Sequence, residues 1–348
     1  VLAAAPVAGS APHVSPLVVN TTDDTNDGTC NSAHCSLREA LAASANARRD
    51  IIYFSIPRSD PGYDPATGTW TIRAGTTFDI LPDTTVDGTL GAYATGDPKR
   101  IQRPGIEITG PGPEPGYTGL HLFDRVTLRG LIVNRWQYGI WVAGNNVTVE
   151  FCYVGTDPLG AAAKPNGLDG ILIANGTTGA TIQDNLLSGN RGDGLRIFGA
   201  ATTGNTIRRN QIGTDASGTA PLPNSDGIYI HGNAHHNTIG PGNLIAFNSF
   251  RGIGVDDSAT LGNTLTMNSI HDNGGKGIQL SGGGNAALAA PVIGTVTQLQ
   301  AAGTACPGCV VEIYSDKEDE GAVYEGSTAA DAGGHWSFTS LTELTGPK

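Results

Sequence analysis

Four side chains suited to proton transfer and charge neutralisation, Arg196, Tyr229, His231 and Asp256, each stand two or four residues past a glycine that opens a short apolar segment. An imidazole or a guanidine in such a patch can act as general base on a sugar, and a cation beside it neutralises a uronate during elimination. In that lyase chemistry Arg196 or His231 takes the proton, while Asp193 and Asp226, each just before such a glycine, hold calcium through hard carboxylate oxygens. A glycosidase needs two carboxyls instead, and carboxylates one repeat apart would lie near the ~5 Å of retaining enzymes. Trp141, with Arg196, Tyr229 and His231, is the candidate surface for binding a glycan, its indole offering a face for ring stacking. Asp-Gly is also an ordinary turn pair, so Asp169, Asp193 and Asp226 need mark only a repeated turn, and this reading outweighs the metal one. A second acidic group, Asp316, Glu318, Asp319 and Glu320 in "SDKEDEG", is dense enough in oxygen for calcium, although a solvated hairpin loop is the simpler account.

What positions these residues is a repeat. Six segments align, "VTLRGLIVN", "VTVEFCYVG", "ATIQDNLLSGN", "NTIRRNQIG", "NTIGPGNLIAFN" and "NTLTMNSIHDN", and each leads into a second short strand such as "YGIWV", "DGLRI" or "DGIYI". The glycines opening the second strands fall at 119, 139, 170, 194, 227, 252 and 277. Two period-2 strands per irregular unit predict the coils of a parallel β-helix, stacked at ~4.8 Å so that each aligned position becomes a ladder. Leu128, Val149, Ile182, Ile207, Ile239 and Leu265 form one inward ladder, and Val133, Val154, Leu187, Ile212, Ile245 and Ile270 another. Cys152, Asn185, Asn210, Asn243 and Asn268 form a third, in which stacked amides bond along the axis and Cys152 is an inert buried thiol. The outward ladders read His121, Trp141, Leu172, Arg196, Tyr229, Gly254, Gln279 and Phe123, Ala143, Ala174, Phe198, His231, Asp256, Ser281. Twin insertions, "GTDPLGAAAKPN" (155–166) and "GTDASGTAPLPN" (213–224), should project from one side, as ordered turn extensions rather than as a binding rim built on Asp157 and Asp215.

Composition agrees with an all-β chain: 348 residues carry 50 Gly, one Met and only 15% charged side chains. The net charge of −12 argues against nucleic acid or an anionic membrane surface as partner, since both require clustered Lys or Arg. No apolar run approaches membrane-spanning length, so direct insertion is not expected. Cys30 with Cys35, and Cys306 with Cys309, read as local disulfides of an exported protein; a zinc half-site at Cys306 and Cys309 is the weaker rival, because no second half-site exists.

The segment around "CSLREAL" resembles the CSLREA region at the N-terminus of exported bacterial β-helix proteins. The "NTIxxNxI" and "GIxI" coils and the "GTDxxGxAxxPN" insertions are similar to the repeats of pectin-lyase-like right-handed β-helices. On such a helix one outward sheet face forms the groove in which the enzymes of the fold cleave polysaccharides, and this groove offers few of the clustered cations a lyase would use. The tail from "APVIGTVTQLQ" onward resembles an immunoglobulin-like β-sandwich, with Trp336 in its core and its last strand expected to be missing, which leaves an open edge.

The resulting expectation is a leader at 1–16, an N-terminal cap at 17–50, a right-handed parallel β-helix at 51–285 and a sandwich at 286–348. Within the cap, Ser36 and Glu39 form a capping box, and Leu37, Ala40, Leu41 and Ser44 or Ala45 supply an apolar stripe to cover the first coil, with Arg48 and Arg49 at the helix C-terminus. The favoured function is a secreted or surface-displayed structural or adhesive module with no required cofactor. It self-associates, possible filaments arising when "VLAAAPVAGSAPHV" of one subunit completes the open sandwich edge of the next. The alternatives are a polysaccharide lyase or glycoside hydrolase on the groove, and a calcium-dependent binder of extracellular glycans.

Overall fold

The computed structural model describes residues 16–44, 51–91, 103–114, 116–316, 320–341 and 343–344. Residues 1–15 of the leader, Ala45, Arg48, Arg49, Glu318 and Asp319 therefore lie outside the described residues, and with them the expected strand donor and half of the acidic tail group.

Three long sheets run the length of a right-handed parallel β-helix, two of nine strands and one of eight. Every neighbouring pair in them is parallel except Tyr63–Asp64 against Thr69–Arg73, a hairpin on the edge of the second sheet. Each coil visits the first, second and third sheets in turn, as in Thr127–Arg129, Leu131–Asn134 and Tyr138–Val142. The two expected inward ladders hold residue for residue, Leu128 against Val149, then Ile182, Ile207, Ile239 and Leu265. Val133 begins the other, followed by Val154, Leu187, Ile212, Ile245 and Ile270. Both run inside one continuous apolar core.

The asparagine ladder is also as expected: Asn185 accepts from the Cys152 N–H, Asn210 from Asn185, and Asn243 from Asn210. The structure adds two further ladders, Asn166–Asn190–Asn224–Asn248–Asn273 and Asn205–Asn237–Asn263–Asn285. Each amide satisfies backbone groups at a turn where the sheets part, which is where an unpaired polar atom would otherwise be buried. Cys152 is fully buried and its thiol is pushed up to about 12 by desolvation, so it is no nucleophile.

The helix Leu37–Ser44 closes the N-terminal end. Its capping box forms as expected, Glu39 Oε2 accepting from Ser36 N at 2.8 Å and Ser36 Oγ from Glu39 N at 3.2 Å. Leu37, Ala40 and Leu41 join the core of the first coils. Cys30–Cys35 and Cys306–Cys309 are both disulfides.

After the last coil, Val292–Val296, Gln300–Thr304 and His335–Thr339 form a three-stranded antiparallel sheet, and Val310–Ser315 pairs with Val323–Ala329. Their shared core is Ala301, Val311, Ile313, Ala330 and Trp336. Val292–Val296 is an edge strand with all five residues exposed. This unit docks on the final strand of the second sheet: Ile270 N donates to Gly321 O, Ser269 Oγ to Ala322 O, and Met267 N to Glu312 Oε2.

Candidate functional site

The third sheet carries the candidate face, and its register places the residues as the repeat implied. Trp141 lies between His121 and Leu172, Leu172 is followed by Arg196, and Arg196 pairs with Tyr229. Phe198 pairs with His231 in the adjacent outward ladder. The side chains gather into two clusters rather than one continuous patch.

In the downstream cluster the His231 imidazole stacks on the Tyr229 phenol, ring centroids 4.2 Å apart and planes 14° from parallel. Phe198 lies against the imidazole at 4.9 Å, its ring tilted by 50°. Burial, then the positive charge of Arg196, pushes His231 below the ordinary histidine range, so its ring is neutral at physiological pH. Tyr229 Oη donates to Asp256 Oδ2 at 2.9 Å, and burial together with that carboxylate raises the phenol above its usual value. Arg251 spans the cluster, bonding Asp226 at 2.6 Å and Asp256 at 3.1 Å with its guanidinium 4.7 Å from the centre of the Tyr229 ring. Gly254 makes this reach possible, since a Cβ there would stand 2.5 Å from the Arg251 Cζ.

Asp169, Asp193 and Asp226 form a buried ladder whose cause differs from the expected turn. Asp169 Oδ1 accepts from Asp193 N, Asp193 Oδ1 from Asp226 N, and Asp226 Oδ1 from Arg251 N, so each carboxylate ties its coil to the next. The glycines that follow are not there for a positive φ. A Cβ on Gly170, Gly194 or Gly227 would meet the carbonyl oxygen of the next repeat glycine at 2.6–2.8 Å, so close coil packing excludes one.

These contacts also decide the metal question for the groove. Both oxygens of Asp193 are taken, by Asp226 N and Arg196, and both of Asp226 by Arg251. Carboxylates filled by guanidinium and backbone donors do not fit a calcium ion, and no step is assigned to one. The same engagement keeps them from serving as a glycosidase acid and nucleophile. In the tail, Glu320 Oε2 accepts from Asn273 N and Nδ2 and ends an asparagine ladder, while Asp316 accepts from Gly321 N. Glu320 thus caps the coil stack instead of lying in a solvated loop.

In the upstream cluster the repeat reveals His121, Phe123 and Trp141 but not Asp79. His121 stacks on Trp141 at 4.9 Å with Phe123 tilted against it at 4.5 Å, and its Nδ1 faces Asp79 Oδ1 at 3.0 Å. Asp79 belongs to Phe78–Ile80, which pairs with Thr118–Leu122 but lacks the repeat glycine, so its place in the outward ladder is hidden in the sequence. The alternation in "FDI" beside "LHL" is the available signal.

The twin insertions are ordered extensions. Asp157 Oδ1 accepts from Ala161 and Ala162, Asp215 Oδ1 from Thr219 and Ala220, and Ala216 N donates to Gly160 O so that one stacks on the other. A cavity of about 920 Å³ lies between the last coil and the tail unit, sharing only Gln279 with the outward ladders.

Sheet order, asparagine turns and an aromatic outward face together define a pectin-lyase-like right-handed parallel β-helix with a small C-terminal sheet unit. Residues 119–290 match the family described as right handed beta helix region. Among solved structures, the A-module of the Azotobacter vinelandii mannuronan C-5 epimerase AlgE6 is 15% identical, with 72% of this chain and 73% of that chain covered and a TM-score of 0.46. Pectate lyase Pel9A is 14% identical over 77% and 69%, TM-score 0.48, and the Agl-KA catalytic domain is 19% identical over 80% and 46%, TM-score 0.46. No curated protein sequence matches the chain. Among the described residues no helix is long and apolar enough to cross a membrane.

Proposed function

We propose that this protein is an extracellular polysaccharide lyase that acts on a uronate-containing glycan along the outward face of the third sheet. One observation carries the reading: a neutral imidazole and a protonated phenol, His231 and Tyr229, stand face to face and half-buried on the outward face of the third sheet. β-Elimination needs a base and a proton donor, and this pair offers both. His231 takes the proton from C5 of the uronate, the C4–C5 double bond forms, the C4–O bond breaks, and Tyr229 gives its proton to the departing oxygen. Arg196, one coil away on the same ladder, supplies the cation facing the uronate, and Arg251 over the ring balances the phenolate left on Tyr229. A hydrolase is less well served, because both oxygens of Asp193 and of Asp226 are already bonded to arginine and backbone donors.

Incubation with a panel of polyuronides, read by the ultraviolet absorbance of the unsaturated product, tests the proposal. Product should appear with at least one of them and vanish in His231→Ala and Tyr229→Phe. New reducing ends on a neutral glycan, with no unsaturated product from any polyuronide, would overturn it.

The self-association reading retains one supporting observation, the edge strand Val292–Val296, where Val292 and Ile293 are 62% and 65% exposed. Sedimentation of the purified chain tests it: a concentration-dependent oligomer that Ile293→Lys disperses supports it, and a monomer at all concentrations removes it.

A further inference from the structure

The Asp79, His121, Phe123 and Trp141 cluster lies on the same face as the His231 pair but takes no part in the proposed elimination. His121 is set against Asp79, stacked on Trp141 with Phe123 tilted against it, and only partly exposed, with 21% of its side chain accessible. Two polar atoms of the cluster have no partner: His121 Nε2 and Trp141 Nε1 are buried without a hydrogen bond. Such orphans cost stability unless something satisfies them, and the ring torsions of His and Trp are soft enough to turn either atom outward. With Nδ1 donating to Asp79, Nε2 is an acceptor, and the indole N–H is a donor. A sugar hydroxyl is both donor and acceptor and matches the pair.

The charge of the cluster selects among sugars. Asp79 is the ionisable partner of His121, with 62% of its side chain accessible, and among the described residues no cation–ring contact involves His121, Phe123 or Trp141. A uronate would meet an exposed carboxylate there, whereas a neutral ring meets aromatic surface. Between the clusters the outward ladders hold Leu172, Ala143 and Ala174, a floor without a blocking side chain. Trp141 and Tyr229 are three ladder steps apart, about 14 Å at ~4.8 Å per coil, so one extended chain reaches both.

We infer that the Asp79–His121–Trp141 cluster is a second glycan site, binding a neutral sugar residue of the same chain whose uronate lies over His231 and Tyr229. The second half of that statement rests on the lyase reading, whereas the existence of the site does not. It makes the protein selective for a polymer in which neutral and uronic residues are mixed.

The test uses the full chain carrying His231→Ala, to prevent turnover, titrated with oligosaccharides of uronic residues alone and with others alternating neutral and uronic residues. Titration calorimetry reads the affinity of every variant, and because Trp70, Trp136 and Trp336 are 3%, 0% and 5% exposed, quenching of tryptophan fluorescence reports on Trp141 wherever that residue is kept. Alternating oligosaccharides should bind about tenfold more tightly, and adding Trp141→Ala or His121→Gln should erase that advantage, with the melting curve showing that each variant folds. Equal binding of the two classes, or an advantage that survives both substitutions, overturns the inference. Unsaturated product from the wild-type chain decides the lyase reading separately: product without any Trp141 dependence removes only the second site, and Trp141-dependent binding without product removes only the lyase.

Discussion

The imidazole of His231 lies flat on the phenol of Tyr229, with centroids 4.2 Å apart, while the Tyr229 hydroxyl is committed to Asp256. Both rings project outward from the strand Ile228–His231, as alternate residues, and Asp256 comes from Ile253–Asp256, which stacks on it in register. A single coil would not hold the pair in this way.

Activity should therefore depend on pH in a defined direction. Burial and Arg196 depress the His231 imidazole, so the base form persists below the ordinary histidine range and the acidic limb of kcat/KM falls there. Arg196→Gln removes one depressing charge and should move that limb to higher pH. A pH–rate profile of the two proteins checks it, and an unmoved limb would show that another group sets it.

Arg251 joins Asp226, Asp256 and the Tyr229 ring, and removing it strands a carboxylate of which only 8% is accessible. Loss of one partner of a buried pair costs about 3 kcal/mol or more. Arg251→Ala should lower the midpoint of urea unfolding accordingly. Arg251→Lys should recover only part of the loss, because an ammonium cannot fork between two carboxylates.

The stack is legible in the sequence because it repeats: every inward position in the six aligned segments falls in its predicted ladder. The site is legible only where it shares that repeat. Arg196, Tyr229 and His231 come out of the alignment, but Asp79 sits on a strand without the marker glycine. The Asp-Gly pairs look like turns, yet their carboxylates bond the next coil and their glycines make room for its carbonyl. Those causes are contacts between coils, and a local motif contains no information about which residue lies one coil away.

Asp169 ends the aspartate ladder fully buried, with Oδ2 unpartnered, and burial raises its carboxyl to about 6 despite Arg196 at 3.2 Å. The folded-state value lies above the unfolded one of 3.8, so the folded chain holds a proton that the unfolded chain has already lost. Its contribution to stability is complete below the unfolded value and disappears as pH rises through about 6. At neutral pH the penalty is at most about 3 kcal/mol, since a tenfold change in proton affinity is worth about 1.4 kcal/mol. Asp169→Asn keeps an acceptor for Asp193 N and should be more stable than the parent at neutral pH but no more stable near pH 3. Chemical denaturation at the two pH values checks the difference.

The asparagine ladders should show a gradient from middle to end. Asn210 sits mid-ladder: its Oδ1 accepts from both Asn185 N and Nδ2, while its Nδ2 donates to Ile182 O and Asn243 Oδ1. Asn210→Ala leaves those groups buried at a turn that water does not reach, at about 1–3 kcal/mol for each unsatisfied group. Asn285 closes another ladder at the partly exposed end of the helix, where it accepts from Asn263 N and donates to Asn263 O. Solvent can replace it there, so Asn285→Ala should cost less than half as much. Urea unfolding of the two variants measures the gradient, and equal losses would mean that the amides act locally within their own turns instead of along the axis.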